Sequence, residues 1–383
     1  MRGSRGMGWS TRAARRAGVA VIGLVASVVA ATVGGPAGSG LTATAVAGAQ
    51  VQGDIPAEGR FFEPVFDEME TTENIVYGQA VNVYGVTQDL HLDIYEPAGD
   101  TVGERPVILL LHGGSFVLGD HKSDAYGAGP GVARTFVELG YVVVSPQYRL
   151  RPEMPFAPHA DMAEMEAAAL DAHDDISAAL AWLRGHAGEY RIDPDAIVPF
   201  GFSAGGTIAW NLAWVPGSIL RPDSVDVPAA VSVAGAPFET SVITGEPLAA
   251  PTAGDAPVLA YHGDADAIVS YEFAAGPCGR AAAAGVRCDL ITFEGVGHPS
   301  FDPAFVPLLT AEVDVSLNFL AEEVLVPLGY VDVQEPELPD PPVTSSTTVP
   351  ITSSTPTTVP DGETVRPVAQ PARPVAGRPD YTG

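Results

Sequence analysis

Apolar positions along this chain follow two different periods. Residues 75–83 and 90–95 alternate apolar and polar side chains, as strands with one buried and one wet face do. Such strands usually pair antiparallel. From residue 107 the pattern becomes short uninterrupted apolar runs, at 107–111, 141–144, 197–200, 229–234, 258–261 and 290–293. Runs of that length fit strands buried on both faces of a parallel sheet. Residues 177–183 have helical spacing, 204–214 are alanine-rich and apolar, and 273–284 and 311–322 are further helix candidates. Gly276 and Pro277 predict a late start for the helix at 273–284, because proline lacks an amide donor and crowds the preceding turn. Strand and helix in alternation over 61–330 predict one α/β layered domain.

Both ends depart from this pattern. Arg2, Arg5, Arg12, Arg15 and Arg16 precede an uncharged, mostly apolar run over 17–33, and small residues follow up to Ala49. A basic segment, an apolar run and an A-x-A site (45–47 or 47–49) predict an export signal over 1–49. The run is short for a membrane span, which needs about 20 residues. No other stretch reaches that length, so no integral membrane segment is expected in the mature chain. At the other end, TSSTTVP and TSSTPTTVP over 344–360 form a short Ser/Thr/Pro-rich repeat. Too little apolar content to offset ordering entropy predicts disorder over 334–383.

Composition narrows the partners. Of 383 residues 46% are hydrophobic, enough for a sizeable core, and the formal net charge is −28. Such a charge repels nucleic acid and anionic membrane surfaces. The expected location is secreted, extracellular or at the cell surface. In an exported protein the two cysteines, Cys278 and Cys288, suggest one disulfide. They are a poor zinc site, having no companion Cys/His spacing. No metal and no cofactor are expected.

Chemistry concentrates at four places. Gly201-Phe202-Ser203-Ala204-Gly205 reads G-x-S-x-G between an apolar run and a helical stretch, the setting of a nucleophile elbow. His112-Gly113-Gly114-Ser115-Phe116 ends another apolar run; a strand entering a glycine-rich turn can aim several backbone N–H groups at one point, as an oxyanion hole requires. A serine nucleophile also needs a base and an acid to orient it, in the chain order Ser, Asp or Glu, His. The run 258–261 leads into His262-Gly263-Asp264-Ala265-Asp266, and 290–293 leads into Glu294-Gly295-Val296-Gly297-His298. His298 is therefore the candidate base. Asp266, spaced D-x-x-V with Val269, is preferred as the acid, with Asp264 bracing the loop and Glu294 nearby.

Together HGGSF, GFSAGG, HGDADAIV and GVGH resemble the α/β-hydrolase superfamily, in particular its carboxylesterase and hormone-sensitive-lipase-like branches with their secreted bacterial esterases. Tyr148-Arg149-Leu150-Arg151-Pro152-Glu153 is similar to the Y-R-L-x-P-E stretch after the fourth strand of those enzymes. The resemblance covers residues 75–325. It implies a mostly parallel central sheet flanked by helices. It assigns Ser203 as nucleophile, His298 as base and Asp266 as acid, with backbone N–H groups of Gly114, Ser115 and Ala204 in the oxyanion hole and Gly113 shaping the turn. Ser115 stands where the family usually has a third glycine. The resemblance further implies a small cap over the pocket, from the methionine-bearing insertion at 151–175 or from the chain N-terminal to the core; a plain surface helix is the alternative for the insertion, and 239–253 is a second candidate for pocket wall. His159 and His173 are expected at the surface.

The expected activity is hydrolysis of a small-molecule or polymer-borne carboxylic ester through an acyl-enzyme. A serine peptidase of the same fold shares these motifs, and an inactive binding module is a third reading. Oligomeric state and natural substrate are not legible.

Overall fold

The computed structural model describes residues 59–156, 159–214, 226–245, 248–299 and 302–332, with the backbone of 43–45. The remainder of the expected leader and the 334–383 tail lie outside the described residues. The chain divides into two compact units, Met1–Pro336 and Glu337–Gly383, and every described residue belongs to the first.

Among the described residues nine strands form one sheet: β1 (Ala43–Ala45), β2 (Met69–Val81), β3 (Thr87–Pro97), β4 (Arg105–Leu111), β5 (Val142–Pro146), β6 (Ile192–Phe202), β7 (Ala230–Val233), β8 (Val258–Gly263) and β9 (Cys288–Phe293). Their order is β1-β9-β8-β7-β6-β4-β5-β3-β2. The alternating segments became the antiparallel pair β2 and β3, and β3 also lies antiparallel to β5. The uninterrupted runs became β4 to β9, all paired in parallel. The three-residue β1, inside the expected leader, pairs antiparallel with β9 at the sheet edge.

The uninterrupted runs serve two cores at once. In β4, Val107, Leu109 and Leu111 join one buried cluster, while Ile108 and Leu110 join the other. The first cluster is covered by α2 (Met162–Gly185), α3 (Ala204–Trp214) and α4 (Glu272–Ala284). The second is covered by α1 (Pro130–Val137), α5 (Phe305–Ala311) and α6 (Val313–Leu320). Successive strand side chains point to opposite faces, so a run apolar at every position has a core on each side.

Several expectations need correction. The helix at 273–284 starts early, at Glu272, and carries Pro277 inside it. Proline removes only one ladder bond, and burial of Ala274, Pro277, Cys278 and Ala281 holds the segment helical. The single helix expected over 311–322 is instead α5 and α6 followed by a π-helical turn at Ala321–Leu325. The break is at Glu312 (φ −97°, ψ 16°), and the change of direction buries Phe305 as well as Leu317, Phe319 and Leu320. The 151–175 insertion runs into α2, whose N-terminal Asp161 accepts from the N–H groups of Ala163 and Glu164. Its methionines do not gather around a pocket: Met154 and Met165 pack into the first core and Met162 is exposed. His159 is exposed as expected, but His173 is buried.

Candidate active site

Ser203 follows the last residue of β6 and precedes α3. Its backbone is left-handed (φ 54°), a conformation that costs a non-glycine residue energy and persists only where surroundings enforce it. Here the Ser203 N–H donates to Val233 O at 2.7 Å, and Thr207 N–H donates back to Ser203 O at 2.9 Å. Gly205 is required by space, since a Cβ there would sit 2.1 Å from Leu111 O. The elbow is therefore pressed directly against the end of β4.

That end of β4 carries the HGGSF turn. Gly114 (φ 117°), Ser115 (φ 55°) and Phe116 (φ 62°) are successive left-handed residues. Such successive turns of backbone point amides into a common concavity. A Cβ on Gly113 would lie 3.3 Å from the Ser203 Cβ, so the turn abuts the serine. The Gly113 N–H itself donates to Tyr126 O at 2.8 Å, which leaves Gly113 shaping the turn rather than facing a ligand. Ala204 heads α3, next to Ser203 in the chain.

Three side chains from separate loops meet at the elbow. His298 Nε2 lies 2.9 Å from Ser203 Oγ, and His298 Nδ1 lies 2.6 Å from Asp266 Oδ2. All three residues are buried. Asp266 Oδ1 accepts from the N–H groups of Ile268 (2.8 Å) and Val269 (2.9 Å). Burial alone would raise the Asp266 pKa, but the bonds from His298 and from these two amides outweigh it and hold the carboxyl below its ordinary value. Asp264 is exposed and turned elsewhere: its Oδ1 accepts from Gly295 N–H at 2.6 Å, tying the loop after β8 to the loop after β9. Glu294 is exposed as well.

Several supporting residues were not singled out for these roles by the sequence. Asp302 brackets the His298 loop. Its Oδ2 accepts from Gly297 N–H (2.7 Å), its Oδ1 from Ala304 N–H (2.9 Å), and its own N–H donates to His298 O (2.8 Å). A short acid just ahead of a helical run was the available signal. The His112 ring stacks on Tyr148 with centroids 4.1 Å apart, its Nδ1 meets Gly113 O at 2.7 Å, and the Tyr148 hydroxyl donates to His112 O at 2.8 Å. Burial pushes the His112 pKa down to about 4, so it is a neutral strut under the turn near neutral pH. His262 is fully buried, with Nε2 2.9 Å from Val269 O and 3.5 Å from Asp266 Oδ2. Arg149 and Arg151 of the Y-R-L stretch anchor to Asp175 and Asp171 of α2, away from the serine.

A cavity of about 310 Å³ opens beside Ser203. None of its lining residues comes from 151–175 or 239–253, the expected pocket walls. The second of these segments is instead held to α2, where the buried Glu166 carboxylate accepts from Ser241 Oγ and Val242 N–H, each at 2.5 Å. Among the described residues no group of His, Cys, Asp and Glu could hold a metal ion, and no helix is long and apolar enough to cross a membrane.

Comparison with known proteins bears on this geometry. The BD-FAE family model matches residues 92–218, which include the HGGSF turn and the elbow. The chain is 32% identical over 127 residues to "Probable carboxylic ester hydrolase LipM" of Mycobacterium tuberculosis, covering 33% of this chain and 26% of that protein. The chain thus spans about a quarter of that relative's length. Among solved structures it is similar to Thermogutta terrifontis esterase 2 phosphorylated by paraoxon, with 26% identity and a TM-score of 0.52 over 70% of this chain and 96% of the other. The same esterase with propionate bound gives 27% identity and a TM-score of 0.51, covering 68% and 96%.

Proposed function

Because this chain belongs to the α/β-hydrolase superfamily, in its carboxylesterase and hormone-sensitive-lipase-like branch, we propose that it hydrolyses carboxylic esters with Ser203 as nucleophile. The observation that carries the reading is the continuous path from Ser203 Oγ through the His298 ring to Asp266, at 2.9 and 2.6 Å. With Nδ1–H donated to Asp266, His298 keeps a lone pair on Nε2 for the serine proton. Ser203 Oγ attacks the ester carbonyl as its proton passes to His298, and the tetrahedral oxyanion rests on the amides of Gly114, Ser115 and Ala204. Collapse expels the alcohol, which takes the proton from His298. Water then repeats the sequence and frees the acid and Ser203. Asp266 stays ionised and stabilises the imidazolium formed in each half.

The reading extends to export. An arginine-led apolar leader and an even pair of cysteines fit a chain that crosses a membrane, loses residues up to Ala47 or Ala49 and oxidises Cys278 with Cys288.

A fluorophosphonate probe tests the nucleophile. Wild type is labelled on the peptide containing Ser203, and Ser203→Ala is neither labelled nor active on a nitrophenyl ester. Labelling that persists in Ser203→Ala removes the assignment. Turnover of nitrophenyl esters without turnover of aminoacyl nitroanilides separates an esterase from a peptidase.

A further inference from the structure

One side chain of the HGGSF turn has no role among the steps of acyl transfer. Ser115 stands where the family usually has a third glycine, and its backbone is left-handed (φ 55°). Glycine adopts that conformation freely, whereas serine holds it at a cost. The residue is 5% exposed, yet among the described residues its hydroxyl has no hydrogen-bond partner. Nor is the hydroxyl sealed in: the enclosed side-chain oxygens without a partner include Ser232 Oγ but not Ser115 Oγ. A buried hydroxyl is normally paired, and here the protein leaves it to a bound molecule. We propose that the Ser115 hydroxyl is a catalytic donor, hydrogen-bonding the tetrahedral oxyanion alongside the backbone amides of the turn. The inference rests on Ser203 being the nucleophile.

The backbone places the hydroxyl. Oγ hangs from the same residue as the Ser115 N–H. An oxygen that accepts from that amide is within reach of the hydroxyl after rotation about χ1, and the hydroxyl hydrogen turns to suit. The N–H groups of Gly114 and Ser115 donate to no described residue, whereas that of Gly113 is taken by Tyr126 O. A Cβ on Gly114 would lie 2.0 Å from Leu118 O, and one on Gly113 would lie 3.3 Å from the Ser203 Cβ. The turn is thus folded back on itself at Gly114 and abuts the nucleophile at Gly113.

Charge decides when the hydroxyl acts. The ester oxygen is neutral in the bound substrate and anionic in the intermediate. A hydrogen bond to an ionised acceptor is roughly twice as strong as one to a neutral acceptor. The hydroxyl therefore favours the transition state over the bound ester, and its effect falls on kcat rather than KM. It keeps its proton throughout, so His298 remains the base.

Ser115→Ala removes the hydroxyl and keeps the amide. Ser115→Gly does the same and suits the left-handed backbone, so it decides the question if Ser115→Ala does not fold. With nitrophenyl acetate, kcat should fall about 10²-fold or more in both variants, the scale for losing one oxyanion donor, with KM nearly unchanged. A trifluoromethyl ketone takes up Ser203 Oγ at its carbonyl and leaves a charged oxygen in the same place. Its affinity should fall in step with kcat. The melting temperature of Ser115→Gly should be no lower than that of wild type, which separates a lost donor from lost structure. Full kcat in Ser115→Gly overturns the proposal even where Ser115→Ala is slow, because a methyl group alone then causes the defect. A rise in KM that accounts for the whole loss, or undiminished affinity for the ketone, overturns it as well. Fluorophosphonate should still label Ser203 in both variants. Turnover remaining in Ser203→Ala would instead overturn the nucleophile, so the two failures are distinguishable.

Discussion

The two faces of the sheet grow from the same strands, yet one is covered by small buried side chains and the other holds a cavity at the serine. On the first face, α2 presents Ala168, Ala169, Ala172 and Ala179 with Ile176, Leu180 and Leu183, all essentially inaccessible. Small side chains let helix and sheet approach closely and leave little void. On the second face the packing is aromatic, with Phe136 edge-on to Phe200 at 5.3 Å and Phe293 edge-on to Phe305 at 5.0 Å. Large rings, with Pro299, Pro303 and Pro307 in the covering segment, leave a recess between α1 and the segment running into α5 and α6. The insertion expected to form a pocket wall is therefore packed into the first core, and the cavity at the serine is lined from the other face.

That contrast can be broken by stability measurements. Leu180→Ala on the first face should cost about 2–5 kcal/mol in denaturant unfolding, as for other buried leucines, and leave turnover of a nitrophenyl ester by the folded protein unchanged. Val132→Ala removes atoms that already face the cavity and should cost under about 1 kcal/mol. Equal losses would erase the distinction between the faces.

The packed side also carries the paired cysteines, Cys278 in α4 and Cys288 at the start of β9, ten residues apart. If they are joined as proposed, replacing both with serine should lower unfolding free energy by about 2–3 kcal/mol, the chain-entropy value for so short a loop. An unchanged melting temperature on reduction would count against the bond.

A smaller effect separates positioning from chemistry at the acid loop. His262 touches no substrate in the proposed mechanism. Its Nε2 meets Val269 O at 2.9 Å, and Val269 N–H bonds Asp266. It should act as a positioning residue, holding the 266–269 turn so that Asp266 faces His298. His262→Leu should lower kcat by about 10- to 100-fold with KM little changed, the scale expected for a slight misplacement of a catalytic group. His262→Gln, which can still donate toward Val269 O, should recover much of the loss. The downfield proton resonance of the His298–Asp266 bond should shift in His262→Leu and return in His262→Gln. Equal defects in both variants, with that resonance unmoved, would make His262 a packing residue only.

Sequence and structure agree most closely where the signal is local. The period of two marked β2 and β3, and uninterrupted runs marked β4 to β9 because each residue faces a core. The G-x-S-x-G stretch and the two loops after 258–261 and 290–293 contain Ser203, Asp266 and His298, and the His298 ring now lies within 3 Å of each of the other two. What stayed hidden depends on contacts distant in sequence. Pro277 reads as a helix breaker unless burial of its own face is known. Glu312 gives no local sign of ending a helix, since the cause is the need to bury Phe305 and Leu320 from different directions. The cavity wall joins residues 124–139 to residues 299–317, and no period in either segment announces the other.

Acid exposes the last difference, between the two loops that flank the serine, and its effect is smallest near neutrality. His112, under the oxyanion turn, has its pKa pushed from an ordinary 6.5 down to about 4 by burial. The unfolded chain therefore takes up this proton first as pH falls. The stability that His112 contributes is complete above 6.5 and is lost between 6.5 and about 4. Asp266 is also shifted downward, but from 3.8, so its contribution is intact through that window and falls away only below 3.8. Urea midpoints measured from pH 7 to pH 3 should thus begin to decline below 6.5, well before carboxylates titrate. His112→Gln should make the limb between 6.5 and 4 shallower, leaving the part due to His262, whose pKa burial also lowers from 6.5, and should keep the loss below 3.8; Asp266→Asn should do the reverse. A wild-type midpoint constant from 6.5 to 4 would mean that the buried imidazole protonates as easily folded as unfolded. A neutral strut beneath the oxyanion turn would then be untenable.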